Sequence, residues 1–582
     1  MATKNLLQEF PAVSTQLWEE AIARDLKGAD YKKKLIWQTE EGPAVKPYYR
    51  AEDIAALELP DVAPGAFPYL RSARSTGDWR IREEIEAADP EQANQAARSA
   101  VAAGAEEIAF LKVAIKNGSD LGMLLVGLHD IPVHFETAGE PLLRLLIEQF
   151  REREDQRSIT TGWNPLADPD FAAEVLCTAP PALVPFTLDG SELEESGATV
   201  VEEIGFALAA GIEYLAEMQA RNINADRAAT SVGFAFAISS NYFFQIAKFR
   251  ALRMLWARAV ESFGGSAESA RARILARTSR WNETIYDPHV NVLRATTEAM
   301  SAVLGGVDSV IVAPFDECYK TPEEASRRLA RNTQIILKRE ALLAQVADPG
   351  AGSYCLEAIT DSLAREGWRS IQKIEAGGGY GKMAAEGQLS EALEHSMAAK
   401  EKAVEFRRLV FTGTNQFANP TEQAIDRIDS LRTRGKRRGA EGYESLRLQT
   451  ERHAAHTGKS PRVLLAEFGD VKMRSARSTF AANFFACAGF EIAAQRFSTA
   501  DEIAASDADL IVLCSSDAEY LDLATDLVRK MNDHGRKTPI IVAGNPDSAE
   551  HLRAAGVVDF IHIRSNPIEV LTAWQQKLGI KA

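Results

Sequence analysis

The chain of 582 residues has only five cysteines, Cys177, Cys318, Cys355, Cys487 and Cys514, and no two of them form a CxxC pair. Odd in number, scattered and mostly set in apolar runs, they exclude a disulfide framework and a thiolate zinc site, and they predict reduced core residues in a cytoplasmic protein. No stretch approaches the ~20 consecutive apolar residues that cross a bilayer. The N-terminal MATKNLLQEFPAVST also lacks the long apolar segment of a secretory signal, so no membrane association is expected. An excess of basic residues is missing as well. Against 82 Asp+Glu stand 66 Lys+Arg, a formal charge of −16, which excludes the counterion-releasing surface that sequence-independent polyanion binding requires. Nucleic acid is therefore not an expected partner, and the one basic run, Arg432 to Arg438 (RTRGKRR), predicts a solvated linker.

Metal-ligand spacing is absent too. His129 and His134 flank the turn GLHDIPVHF without a second ligand, so no metal site is expected. His289 in DPHVN is read as a structural residue at a loop-to-helix start. The glycine run Ala376 to Tyr380 (AGGGY) follows no strand and lacks the GxGxxG spacing, which predicts a helix end and turn.

What is there is an ordinary globular composition, 46% apolar and 25% charged. At roughly 150 residues per domain, the length requires several cores. Residues 1–45 combine an amphipathic helix (Thr15 to Gly28) with an extended stretch (KKKLIWQTEEGPAVKPYYR), and read as an arm that packs on its own domain or on a partner. From about Ala105, β-rich runs (AEEIAFLKV, GMLLVGL, PALVPFTL, SVGFAFAI, RARILART, VDSVIVA) alternate with helical runs. Parallel strands need crossover helices, and six or more such units favour a (β/α)8 TIM barrel over an open sheet, assigned to 46–370. A helical linker is expected over 371–460. In 461–582 five apolar runs (RVLLAEF, FEIAAQ, DLIVLC, PIIVAG, VVDFIHI) each precede a helical pattern, which predicts a doubly wound, flavodoxin-like α/β domain. Its ligand region would lie in the loops after Phe468, Cys514 and Gly544, at the carboxyl ends of the strands.

Long stretches carry a family resemblance: SSNYFFQIAKFRALRMLWARAV (Ser239 to Val260), TSRWNETIYDPHVNVLRATTEAMSAVLGG (Thr278 to Gly306) and ARNTQIILKREALLAQVADPGAGSYCLEAITDSLAREGW (Ala330 to Trp368). Together with FPAVSTQLWEEAIARDLKGADYKKKLIWQTEEG and FPYLRSARSTGDWRIREEIEAADPEQAN, they resemble the adenosylcobalamin-dependent acyl-CoA mutases of the methylmalonyl-CoA mutase type, and they do so over nearly the whole chain.

The resemblance also locates departures. The family's cobalt-ligating histidine belongs to a DxHxxG motif after the first strand of the C-terminal domain. Here the matching stretch is GDVKMRSARSTF, with Asp470 at the aspartate, Lys472 at the histidine and Ser475 at the glycine. A lysine ammonium has no free lone pair for cobalt. The Ser-x-Leu type turn reads CSSDAEY, with Ser515 in place and Asp517 at the apolar position. The Gly-Gly pair reads VAGNP, with Ala543 preceding Gly544. In the barrel, Ser191 and Glu192 replace the Tyr-His pair that precedes EAGAT, and an ionised carboxylate cannot donate a hydrogen bond to a thioester carbonyl. SARSTGDWRIREE likewise lacks the family's Tyr and Arg substrate contacts.

The resemblance thus implies a non-catalytic chain without catalytic, cofactor or metal residues of its own. It would pair in a heterodimer with a homologous catalytic large chain that binds adenosylcobalamin and the acyl-CoA, and interconverts (R)-methylmalonyl-CoA and succinyl-CoA. The alternatives left open are an active mutase with an unusual cobalamin mode and a stand-alone acyl-CoA-binding or regulatory module.

Overall fold

The structure is a computed structural model and describes residues 13–55, 57, 59–151, 158–429 and 437–581. The first twelve residues and most of the basic run at 432–438 lie outside that set. The expected first helix forms as Thr15–Asp25, with the Ser14 hydroxyl accepting from the Leu17 amide at 3.2 Å. None of its residues is buried. Trp18 stacks on Tyr48 at 5.2 Å, and the Arg50 guanidinium lies over the same indole. The stretch expected to be extended is instead a short helix, Tyr31–Leu35, then a hairpin of β1 (Trp37–Gln38) and β2 (Ala44–Val45). Asp30 decides the difference by accepting from the Lys33 amide and starting a helical turn. The arm is fastened at Glu41, whose carboxylate accepts from the Val200 amide at 2.6 Å.

A nine-segment parallel sheet follows: β3 (Arg80–Ile85), β4 (Glu107–Phe110), β5 (Val133–Phe135), β6 (Ile159–Thr161), β7 (Leu183–Val184), β8 (Phe186–Asp189), β9 (Val232–Ile238), β10 (Ile274–Thr278) and β11 (Ser309–Ile311). Their hydrogen-bonded order is β7-β6-β5-β4-β3-β11-β10-β9-β8. The two ends of that order, β7 and β8, are halves of the single expected strand PALVPFTL, interrupted at Pro185. Proline has no N–H to continue a ladder, so one half pairs with β6 and the other with β9. The sheet therefore bends round until its ends meet across one residue, and the result is a nearly closed parallel barrel.

Three barrel strands come from stretches that the sequence pattern did not mark: β3, β5 and β6. In the other direction, GMLLVGL is not a strand. Asn117 caps a helix, Gly118–Leu125, by accepting from the Ser119 and Asp120 amides, and Leu121, Leu124 and Leu125 bury one face of it at helical spacing. Long helices Val200–Ala220, Tyr242–Ser262 and Tyr354–Ala376 pack together outside the barrel, the last of them running through residue 370. AGGGY closes that helix in the expected turn, with Gly378 and Gly379 at φ +108° and +94°.

The C-terminal sheet holds β12 (Arg462–Glu467), β13 (Glu491–Arg496), β14 (Leu510–Cys514), β15 (Ile540–Ala543) and β16 (Val557–Ile561), all parallel, in the order β13-β12-β14-β15-β16. This 2-1-3-4-5 order puts the topological switch point between β12 and β14. One of its two core clusters is not self-contained: Trp281, Met397, Val404 and Phe411 pack with Val463, Phe484 and Trp574, whereas the other is built from residues between Leu464 and Phe560 alone. The helix Glu441–Thr457 joins it to the barrel side. Glu444 accepts from the Ile285 amide and Glu451 from the Tyr286 hydroxyl, both at 2.7 Å. Two side-chain expectations are corrected here. Arg438, at the end of the basic run, is buried against Glu444 at 2.6 Å rather than solvated, because that carboxylate compensates its charge. Cys177 is exposed; Cys318, Cys487 and Cys514 are buried, and all five thiols are free.

Candidate functional site

Ligands of parallel α/β sheets sit beyond the carboxyl ends of the strands, and the chain has two such mouths. The barrel mouth encloses about 450 Å³, and its lining carries eight carboxylates and six cations. Arg277, near the end of β10, reaches Glu84 of β3 at 3.1 Å and Glu317 at 2.7 Å. Arg280 adds contacts to Glu317 at 3.0 Å and Glu195 at 3.5 Å. Burial works against the Arg277 charge, but Glu317 and Glu84 outweigh it and raise its pKa.

Ser191 and Glu192 open the short helix Ser191–Glu195 on the rim of this cavity. The Ser191 amide and hydroxyl both donate to Asp189, at 2.8 and 2.5 Å, so the hydroxyl is already committed. Burial pushes the Asp189 carboxyl up, and Glu136 and Glu192 push the same way. Glu192 itself is exposed. The mouth thus presents guanidiniums engaged in ion pairs beside carboxylates, Asp189 and Glu192, that have none among the described residues.

The second mouth is the switch-point crevice. Asp470 caps the helix Val471–Ala486 by accepting from the Met473 amide at 2.8 Å. Lys472 and Ser475 then lie exposed on its first turns. Ser515 is buried at the end of β14, and its hydroxyl donates to Glu519 at 2.7 Å. Glu519 also accepts from the Ser516 hydroxyl at 2.6 Å and from the Asp470 amide at 3.2 Å. Those donors, the Ser516 hydroxyl first, hold its carboxyl at about 2. Asp517 pairs with Arg477 at 3.0 Å. Ala543 is fully buried, its carbonyl accepting from the Tyr520 hydroxyl at 2.8 Å, and Gly544 lies under the Arg477 guanidinium. The strand ends at the switch point are flanked by the chain's own charged side chains.

His134 is buried between Thr160 and Glu136, and His289 precedes the helix Val290–Leu304 with its ring against Phe315. Among the described residues no group of His, Cys, Asp or Glu has the arrangement of a metal site.

A model of the family described as "Methylmalonyl-CoA mutase" matches residues 38–123 and 172–460. The chain is 35% identical to the methylmalonyl-CoA mutase small subunit of Porphyromonas gingivalis, with 99% of each chain covered. It is 31% identical to the small subunit of Streptomyces virginiae, covering 99% of this chain and 98% of that one. It is 32% identical to the methylmalonyl-CoA mutase of Cereibacter sphaeroides over 71% of this chain and 65% of that one. The chain belongs to the methylmalonyl-CoA mutase family.

For a member of the methylmalonyl-CoA mutase family the implied cofactor is adenosylcobalamin, and the residues present do not fit it. Lys472 offers an exposed ammonium instead of an imidazole. Arg477, Asp517 and Glu519 are engaged with one another's loops at the strand ends, where small residues would leave room for a ligand. Of the positions singled out in the sequence, the fold brings Asp470, Ser515, Asp517, Ala543 and Gly544 to one crevice, and Ser191 and Glu192 to the other mouth. It leaves Lys472 and Ser475 outside the crevice contacts. Sequence reasoning missed the charged side chains at the two sites: Arg477 and Glu519 at one, Arg277, Glu84 and Glu317 at the other. A signal was available in RARILART and WRIREE, where charged residues sit inside strand-forming runs.

Proposed function

We propose that this chain is the non-catalytic small subunit of a heterodimeric methylmalonyl-CoA mutase, and that its flavodoxin-like C-terminal domain is a B12-binding domain that has lost its ligand. A homologous large chain would carry the adenosylcobalamin and the acyl-CoA, and perform the interconversion of (R)-methylmalonyl-CoA and succinyl-CoA in the cytoplasm. The observation that carries this reading is that the strand ends of both mouths are occupied by the chain's own ion pairs, Arg277 with Glu84 and Glu317 in one and Arg477 with Asp517 in the other, while both folds stay intact. A partner of similar architecture gives such a scaffold a use through its surface. The arm supplies a suitable face: Leu17 and Trp18 on the first helix are 57% and 47% exposed, and exposed aromatic and aliphatic anchors are what obligate interfaces bury. The domain assignment follows the same reading, with an arm at 1–45, a mutase-type barrel at 46–370, a linker at 371–460 and the degenerate domain at 461–582.

The test is co-expression with a homologous large chain that carries DxHxxG and a Tyr-His pair, followed by gel filtration, cobalamin absorbance and a mutase assay on each chain and on the pair. One cobalamin per heterodimer, none on this chain alone and activity only where the large chain is present are expected. Stoichiometric cobalamin on this chain by itself would overturn the reading.

A further inference from the structure

Connecting loops run over protein surfaces, but the loop between β10 and the helix Val290–Leu304 does not. Every residue from Trp281 to Tyr286 is buried, because residues 411–427 and 438–451 close over them. The Gly439 amide donates to the Trp281 carbonyl at 3.0 Å, and the Arg438 guanidinium to the Glu283 carbonyl at 3.2 Å. The Ile285 amide and the Tyr286 hydroxyl donate to Glu444 and Glu451 of the helix Glu441–Thr457, and the Asp287 amide donates to Glu422 at 2.9 Å. The Trp281 ring meets Phe411 at 5.5 Å. This loop is therefore the joint between the barrel and the C-terminal sheet.

The joint encloses carboxyl groups that no cation serves. Glu283 is 7% exposed, and its Oε2 has no hydrogen-bond partner among the described residues. Arg277 and Arg280 face it from the barrel side, but these two cations already serve three carboxylates, Glu84, Glu195 and Glu317. On the C-terminal side Arg438 is paired with Glu444. The Cys318 thiol is buried beside Glu283, and burial first, then Glu283, push it up, so it contributes no positive charge. Behind the loop, Glu298 is buried with the Asn282 side chain donating to it, and the neighbouring Glu194 accepts from the Ser279 hydroxyl at 2.8 Å. Arg294 attracts Glu298, yet its N–H groups go to Thr284, Asn291 and the Thr412 carbonyl.

Burial, then Glu317, push the Glu283 carboxyl up. Burial, then Glu194, push Glu298 up against the hydrogen bond from Asn282. A carboxyl raised in the folded state stabilises that state below its unfolded value, and the stabilisation is lost as pH rises through the folded one. Once ionised, both groups stand in a sealed loop beside Glu194 and Glu317, with no cation donating to either among the described residues. An unpaired buried charge is resolved by moving the group into water.

We propose that the loop 279–289 is a proton-operated latch between the barrel and the C-terminal sheet. With Glu283 and Glu298 protonated the loop is seated. When they ionise it opens locally, gives up its bonds to Arg438, Glu444 and Glu451, and loosens the helix Glu441–Thr457 on the barrel. The latch lies within this chain and does not depend on how the chain pairs or on which chain holds the cofactor.

The experiment is hydrogen exchange of the full chain between pH 6 and pH 9, read by mass spectrometry, with each rate divided by the intrinsic chemical rate at that pH. Wild type, E283Q/E298Q and the control E550Q are compared, Glu550 being exposed on the helix Ala549–Ala555. In wild type and E550Q, protection of residues 281–286 and of the helix Glu441–Thr457 should fall by tenfold or more across this range, while β12 and β14 change less than twofold. E283Q/E298Q should keep its protection at pH 9. If circular dichroism shows that the double variant does not fold, E283Q alone takes its place and should lose at most threefold. Wild-type protection of the loop that stays constant from pH 6 to pH 9 overturns the proposal. So does a wild-type loss shared equally by β12 and β14, or a loss in the glutamine variant as large as in wild type.

Discussion

Arg477 lies directly over Gly544: a Cβ at that glycine would stand 3.1 Å from a guanidinium nitrogen, and the same guanidinium holds Asp517 at 3.0 Å. One side chain from the first helix of the C-terminal domain thus covers the loop after β15 and ties down the loop after β14. The loops that flank the switch point are thus joined through one guanidinium.

For that reason Lys472→His alone should not restore cobalamin binding. After incubation with adenosylcobalamin and gel filtration, the variant should carry no absorbance above the wild-type baseline. A stoichiometric cobalamin spectrum on this single variant would mean that Arg477 and Glu519 yield readily, contrary to their geometry.

Arg277→Ala removes the cation that Glu84 and Glu317 share, leaving buried carboxylates without their partner. Breaking such a pair costs about 3–5 kcal/mol. Denaturant unfolding should show a loss of that size, whereas Arg144→Ala, on an exposed pair, should change stability by less than about 1 kcal/mol.

Glu298 gives the protein a pH dependence. The residue is buried with its carboxylate accepting from the Asn282 side chain at 2.7 Å, and burial pushes its carboxyl up to about 8. The folded state therefore binds a proton that the unfolded chain releases near pH 4.5. Its contribution to stability is full below that pH and is lost as pH rises to about 8. Glu298→Gln, which mimics the protonated form, should flatten the stability profile between about pH 5 and 8 by up to about 1.4 kcal/mol per pH unit. Chemical denaturation at a series of pH values reads this directly, and parallel profiles for the two proteins would contradict it.

The C-terminal sheet should not fold when excised as residues 461–582. One of its two core clusters is completed by Trp281, Met397, Val404 and Phe411 from outside that range, and excision would expose that face of the sheet. In the full chain, Phe411→Ala should cost about 3–5 kcal/mol and destabilise barrel and C-terminal sheet together. Well-dispersed amide resonances from the isolated fragment would show the core to be self-sufficient.

The arm carries the last expectation. Because the helix Thr15–Asp25 buries none of its residues, Leu17→Asp with Trp18→Asp should leave the thermal midpoint of this chain nearly unchanged. In the proposed heterodimer the same pair should weaken co-purification with the large chain by tenfold or more. A large drop in the stability of the chain alone would instead place the helix in its own core.

Much of the fold was legible because hydrophobic periodicity is local. The five strands of the C-terminal sheet follow from five apolar runs of strand length, and β9 and β10 from VGFAFAI and ILART. β5 and β6 escaped because each has only three residues and neither sits in a longer apolar run, whereas β11, equally short, is carried by VDSVIVA. GMLLVGL misled because a short apolar run has the same composition in a buried helix as in a strand, and the Asn117 cap decides between them. Pro185 was visible in the sequence, but that it divides one strand between two neighbours follows only from ring closure.

The sequence by itself determined the family of this protein and the identities missing from its sites: no imidazole at Lys472, no Tyr-His pair at Ser191 and Glu192. Those are facts about residue type, read from short motifs outside the long matching stretches. Only the tertiary structure decided what stands in their place. Arg477 meets Gly544 across 67 positions of sequence, and Arg277 meets Glu84 across 193. No periodicity encodes such pairs, because they depend on which strand ends the folded sheets bring together.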